Sequence, residues 1–168
     1  MPIEQDLDTA VIGPVDLSFA PNAWVTIAAV GSFEDGSLSA QLVAEDYTTE
    51  LPAGQSRITL YHAVEGAPDV DVKLADGTVL VQGLSYTGEF SLDVAANTYN
   101  IQVFEAGTDN LLLDLVDTII DADSFYFIGL TSTPDSVQAS VAVVGLNQVA
   151  TFINGANGDI PETLPTGG

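Results

Sequence analysis

Few residues in this chain have chemistry to offer. His62 is the single histidine, so a serine–histidine–carboxylate triad would have no other base to use. It stands in the apolar run Ile58 to Val64, beside no candidate nucleophile, which predicts a structural imidazole bonded to a nearby loop. Asp69 and Asp71 are spaced by two, so on one strand they would share a face. Catalysis by paired carboxylates needs such a pair enclosed in one pocket, whereas a solvated strand edge is the commoner setting. Calcium is the better candidate, because that ion collects about six to eight oxygens from carboxylates, carbonyls and amides. The acids that would supply them are Glu65 with Asp69 and Asp71, and Asp121 with Asp123, with the single-acid loop Thr108-Asp109-Asn110 a poorer third. None has the spacing of an EF-hand loop, and diffuse ion screening competes with specific binding. The absence of cysteine removes thiolate nucleophiles, zinc–thiolate sites and disulfides. The expectation is a protein without enzymatic activity or required cofactor, with calcium as the one candidate ion.

The elements that would position these residues are strands. Short runs rich in Val, Ile, Leu, Thr and aromatics are punctuated by Gly, Pro, Asn and Asp, and no segment has a helical stripe. Strands are expected near 11–19, 23–31, 37–44, 56–63, 69–74, 78–82, 88–93, 98–105, 111–120, 124–131, 136–144 and 147–153. Ala75-Asp76-Gly77 predicts a tight hairpin, since Asp-Gly accommodates the positive φ such turns require, and Ala106 to Asn110 a longer one.

The chain also repeats itself. Val15 to Ala44 returns as Val116 to Val143, pairing Trp24 with Phe125 and Ile27 with Ile128 at a constant offset of 101. Two residues fewer in the following loop then pair Ala40 with Ala139. The second copy is preceded by strand-like sequence from Arg57 onward that the first lacks, so the first is a half copy. The expected organisation is a half repeat at 1–50, a linker at 51–56 within Glu50 to Ser56, a complete repeat at 57–145, and a terminal strand and tail at 146–168. Trp24 and Phe125, at equivalent positions, are expected to share a packing role in the core.

Composition bounds the partners. Asp and Glu number 24 against two cations, Arg57 and Lys73, for a formal charge of −22, while 46% of residues are hydrophobic. Such a chain can bury enough apolar surface to fold, unlike an acidic disordered tail. It offers no cationic cluster for nucleic acid or an anionic bilayer surface, and no apolar run long enough to span a membrane. Self-repulsion of this size is relieved by salt, divalent cations or acid, which points to an ion-rich medium.

From Arg57 the sequence resembles a known family. A strand is followed by His62-Ala63-x-x-Gly66-Ala67-Pro68-x-Val70-Asp71-Val72, then by a hairpin through Asp76-Gly77, then by Gly83-Leu84-x-Tyr86. This pattern is similar to the DUF4397 family, a domain of unknown function of secreted and surface proteins, with the full match expected at about 57–145 and its C-terminal strands again at about 11–46. The resemblance implies an all-β, antiparallel, Ig-like or transthyretin-like β-sandwich located outside the cell or on its surface, and implies no catalytic residues. Ala96-Asn97 stands where the family usually has a glycine. The terminal Leu164-Pro165-Thr166-Gly167 lacks a residue needed for a sortase signal.

A half repeat with one apolar face leaves a face and an edge that water should not meet. It can pack within its own chain, or exchange strands with another copy into a filament or surface layer. Val11, Val15, Leu17 and Phe19 would carry such assembly at the N-terminal side, and Val149 and Phe152, in a tail strand added to a neighbour's edge, at the other. The expected partner is therefore the protein itself. A monomeric adhesion module binding calcium, a glycan or another surface ligand is the alternative.

Overall fold

The computed structural model describes residues 12, 14, 16–21, 24–45 and 50–144, and the backbone of 145 and 151–155. No helix occurs among them, and all regular structure is strand. The chain divides into two compact units, Met1–Glu45 and Asp46–Gly168.

The first unit holds one hairpin, β1 (Trp24–Val30) and β2 (Ser39–Glu45), paired antiparallel. Its turn is tied by Leu38 N–H to the Ser32 carbonyl (3.2 Å), Ser32 N–H to Ser37 Oγ (2.9 Å) and Ser37 N–H to Asp35 Oδ1 (2.9 Å). The Ser37 bonds hold the Asp35 carboxyl below its ordinary range. Gly31 enters this turn at φ +98°, and a Cβ there would lie 2.5 Å from the Ser37 carbonyl oxygen, so only glycine fits. The strand expected over 11–19 is not formed at its described residues 12, 14 and 16–19, whereas Val11 and Val15 lie outside the described residues.

The second unit is a sandwich of two sheets. Five strands, β3 (Gln55–His62), β6 (Glu89–Ala95), β9 (Ser124–Thr133), β10 (Ser136–Gly145) and β11 (Thr151–Gly155), form one sheet in the order β11-β10-β9-β3-β6. The other has four: β4 (Val70–Leu74), β5 (Val79–Leu84), β7 (Asn97–Glu105) and β8 (Leu111–Ile120), ordered β5-β4-β7-β8. All pairings are antiparallel except β3 with β9, which run parallel. Alternation sends Ile58 and Leu60 of β3 and Tyr126, Ile128 and Leu130 of β9 inward, where they join Val72, Ile101, Val103, Leu113 and Leu115 from the facing sheet in one buried core. At about 25 cal/mol per Å² of apolar surface, each of these aliphatic side chains contributes roughly 2 kcal/mol.

The hairpin expected at Ala75–Gly77 forms with Gly77 at φ +90°, Gly77 N–H bonded to the Leu74 carbonyl (2.9 Å) and Asp76 Oδ1 accepting from Thr78 N–H (2.8 Å). The linker is shorter than the expected 51–56: β3 begins at Gln55, and the Gly54 carbonyl accepts Ala96 N–H (3.1 Å). The tail strand has a partner within the chain. Thr151–Gly155 pairs antiparallel with β10 of its own chain, Phe152 opposite Ala142. Val149 lies outside the described residues.

The two hairpins of the repeat have the same register. Ala29 opposes Ala40 and Ile27 opposes Leu42 in the first. At the repeat offsets, Leu130 opposes Ala139 and Ile128 opposes Val141 in the second. The length difference falls in the turn, where β9 and β10 stay paired up to Thr133 and Ser136 while β1 and β2 part at Val30 and Ser39.

Candidate functional site

Of the residues that carried the chemical expectations, His62 and Asp71 use their side chains to tie neighbouring segments together. His62 ends β3 and is fully buried. Val64 N–H donates to its Nδ1 (3.2 Å), which puts the ring proton on Nε2, and Nε2–H donates to the Pro68 carbonyl (3.0 Å). The imidazole thus spans the loop 63–69 that carries the chain from β3 to β4, and Gly66 turns that loop at φ +77°. Its backbone accepts Thr87 N–H (2.7 Å) and donates to the Gly88 carbonyl (3.0 Å), which fixes the return crossing from β5 to β6. The Tyr86 ring stands edge-on to the imidazole, 6.3 Å between centroids. His62 is therefore the loop-bonded structural histidine expected, with both nitrogens engaged.

Asp71 performs the matching task at the other side of β4. Its carboxylate is buried, Oδ1 accepting Gly83 N–H (2.9 Å) and Oδ2 accepting Gly107 N–H (3.0 Å). These two bonds, Gly107 first, hold the carboxyl below its ordinary value of 3.8. Gly83 at φ +64° and Gly107 at φ +73° present their N–H groups from backbone conformations that side chains rarely adopt. One side chain thereby ties β5 and the β7–β8 loop to β4.

Asp69 and Asp71 differ in burial, the first exposed and the second buried. Asp69 precedes β4, and its carbonyl accepts Ala106 N–H (2.8 Å). Pro68 immediately before it cannot donate to a ladder, so the strand begins one residue later, at Val70. Glu65 is half-buried in the crossing loop, and Asp121 and Asp123 are exposed in the turn between β8 and β9. That turn is fixed through its backbone: Asp121 N–H donates to Tyr126 Oη (2.9 Å), Asp123 N–H to the Gln55 carbonyl (2.9 Å), and the Asp121 carbonyl accepts Ser56 Oγ–H. Among the described residues no group of three or more His, Cys, Asp or Glu is placed to hold a metal ion. Asp71 has already given both oxygens to backbone, and the other acids are spread over separate turns.

A shallow open groove of about 320 Å³ lies at one end of the four-stranded sheet, beside Asp76, Asn97, Tyr99 and Asn100. Its polar groups are largely occupied: Asn97 Oδ1 accepts Thr98 N–H, Tyr99 Oη–H donates to the Ala95 carbonyl, and Asn100 Oδ1 accepts Asp117 N–H. The two cations are likewise engaged with neighbours. Arg57 forks onto Asp93 across the β3–β6 pair (Nε–Oδ1 2.7 Å, Nη2–Oδ2 3.0 Å), and Lys73 Nζ lies 5.0 Å from the centre of the Phe104 ring.

What the second unit completes, the first leaves open. Ile120, Phe125 and Ile128 are 1%, 5% and 1% exposed, while their repeat equivalents Phe19, Trp24 and Ile27 are 55%, 52% and 54% exposed. Trp24 therefore does not share the core role of Phe125: the equivalence holds in sequence and in strand register, but not in burial. Of the expected assembly residues, Phe19 is exposed and Leu17 half-buried.

Two facing sheets, a common apolar core and crossings pinned by His62 and Asp71 define an all-β protein of the sandwich class. The sequence profile of DUF4397, a domain of unknown function, matches residues 3–73 of the chain. The matched extent differs from the expected one: it takes in the half repeat, β3 and most of β4, including the His62 to Val72 motif, and ends before Gly83 and Tyr86. None of the curated proteins matches the chain.

Proposed function

We propose that this protein is a structural β-sandwich subunit that works outside the cell by associating with copies of itself through its N-terminal half repeat, building a filament or surface layer. The observation that carries this reading is the exposure of Phe19 and Ile27 at positions whose equivalents, Ile120 and Ile128, are buried core. Ile27 stands on a formed strand and Phe19 in the segment before it, and large apolar side chains held half in water are characteristic of surfaces awaiting a partner. The cis pairing of β11 argues against donation of the tail, which leaves the half repeat as the contact. A formal charge of −22 sets the conditions: copies approach one another only where salt or divalent ions screen the repulsion, as in a saline exterior.

The test is sedimentation velocity and negative-stain electron microscopy of the purified protein over rising salt, with and without calcium. Growth from monomer into larger regular species as salt rises is the expected result, and Leu17→Asp or removal of residues 1–19 abolishes it. Monomers at every salt and protein concentration would overturn the proposal.

A further inference from the structure

Endoproteases of trypsin specificity hold a lysine or arginine side chain on a carboxylate in their specificity pocket and cut the bond that follows it. The whole chain, including the segments outside the described residues, gives such enzymes two bonds, Arg57–Ile58 and Lys73–Leu74. No other residue carries the required charge. The fate of the protein before this class of enzyme is therefore decided by the surroundings of two peptide bonds.

Both bonds lie in strands that are flanked on each side. β3 stands between β9 and β6, with Arg57 opposite Phe125 on one side and Asp93 on the other. β4 stands between β5 and β7, with Lys73 opposite Val79 and Gln102. A protease takes its substrate as an extended segment whose backbone is free to pair with the enzyme and whose cationic side chain can leave the surface. Neither condition is met at either bond. Arg57 is 7% exposed and forked onto Asp93, and Ile58 after it is 1% exposed in the core. Lys73 is half-buried with its ammonium over the Phe104 ring. Leu74 after it packs against the core and donates its N–H to the Thr78 carbonyl (2.8 Å). The flanks are pinned as well: His62 fixes the end of β3, and Asp71, two residues before Lys73, ties β4 to Gly83 and Gly107. Lifting either bond out of its sheet breaks ladders on both sides and empties part of the core, which amounts to opening the sandwich as a whole.

We infer that the native protein is refractory to proteases that cut after lysine or arginine, and that they cleave it only through global unfolding of the second unit. Nicking normally falls at exposed turns, and here those turns carry acids in place of cations: Glu34 and Asp35 after β1, Asp76 after β4, Asp109 after β7. Cleavage then tracks the unfolded fraction, which for a domain of ordinary stability slows it ~10³-fold or more relative to an unstructured substrate. The inference stands apart from the self-association proposed above, since it concerns the single chain.

The test adds trypsin to dilute wild-type protein in native buffer and follows the fragments by mass spectrometry, with a synthetic peptide of residues 70–77 as the unstructured reference. The peptide is expected to be cut after Lys73 at least ~10³-fold faster than the protein. Ala53→Lys places a lysine in the exposed turn before β3 and is expected to be cut promptly after position 53. Ile128→Ala weakens the core and is expected to speed cleavage after Arg57 and Lys73 on the order of 10²-fold. Wild-type protein cut at either bond at a rate that Ile128→Ala leaves unchanged would mean local opening and would overturn the inference. Resistance of Ala53→Lys equal to that of wild type would overturn it as well, because the placement of the cations would then not be the cause.

Discussion

Ile27 and Ile128 offer a paired experiment within one polypeptide: the same residue, at equivalent repeat positions, in the same cross-strand register, but 54% and 1% exposed. Shortening either to alanine removes three carbons. At about 0.8 kcal/mol per buried methylene, Ile128→Ala forfeits roughly 2.4 kcal/mol of transfer energy. The cavity left between β9 and the facing sheet raises the total to about 3–5 kcal/mol. At Ile27 less than half of the side chain is removed from water and no enclosed cavity results, so the loss is about 1 kcal/mol or less. The assay is urea unfolding followed by circular dichroism at low salt and low protein concentration. Ile128→Ala should lower the midpoint of the main transition severalfold more than Ile27→Ala, with the m-value unchanged in both. Equal destabilisation by the two substitutions would refute the claim that one copy's core face is covered and the other's is open.

Three further outcomes follow from the same geometry. His62→Phe keeps the ring volume but strands Val64 N–H and the Pro68 carbonyl, and should cost about 2–4 kcal/mol by thermal or urea unfolding with no change in any assembly measured in high salt. Asp71→Asn can offer only one acceptor to two N–H groups, and should cost about 2 kcal/mol at neutral pH. Because the folded carboxyl lies below its ordinary value of 3.8, the stabilisation from Asp71 is fully present above the unfolded value and is lost as pH falls through the lower folded one. The variant's stability should therefore vary less with pH than wild type below about pH 4, and the difference between the two curves measures this. Gly31→Ala drives a Cβ to 2.5 Å from the Ser37 carbonyl at a positive φ, and should destabilise the first hairpin by about 1–3 kcal/mol, read as faster amide exchange of β1 and β2 while β3–β10 are unaffected.

Much of this architecture was legible in the chain because turn residues mark its strands. Asp76-Gly77 fixes the β4–β5 hairpin, and strands such as β8 at 111–120 fall where alternation and punctuation place them. Alternation says which face of a strand is buried but nothing about its neighbour, so the parallel β3–β9 pair had no signature in sequence. Spacing could not show that Asp69 stays exposed while Asp71 is buried, since Asp69 precedes the strand that begins at Val70. The structural task of Asp71 had a detectable signal, a carboxylate followed at some distance by two glycines that can present bare N–H groups, but only the fold shows that Gly83 and Gly107 come to it. Trp24 misled for a different reason. Repeat equivalence transmits strand register, which is local, but burial depends on a facing sheet that the half copy does not carry.

The parallel pairing of β3 with β9 also sets an order of events for a growing chain. Arg57 meets Phe125 and His62 meets Leu130, so the central pair of the five-stranded sheet closes a loop of roughly seventy residues. During synthesis β3 must wait, with Ile58 and Leu60 unburied, until β9 has left the ribosome, whereas the β1–β2 hairpin needs only contacts within 22 residues and can form at once. Nascent copies would therefore display the β1–β2 hairpin before their main domain exists. The acidity that keeps finished subunits apart in dilute salt would then act first as a solubility device, holding half-made chains separate until each has closed its own sandwich.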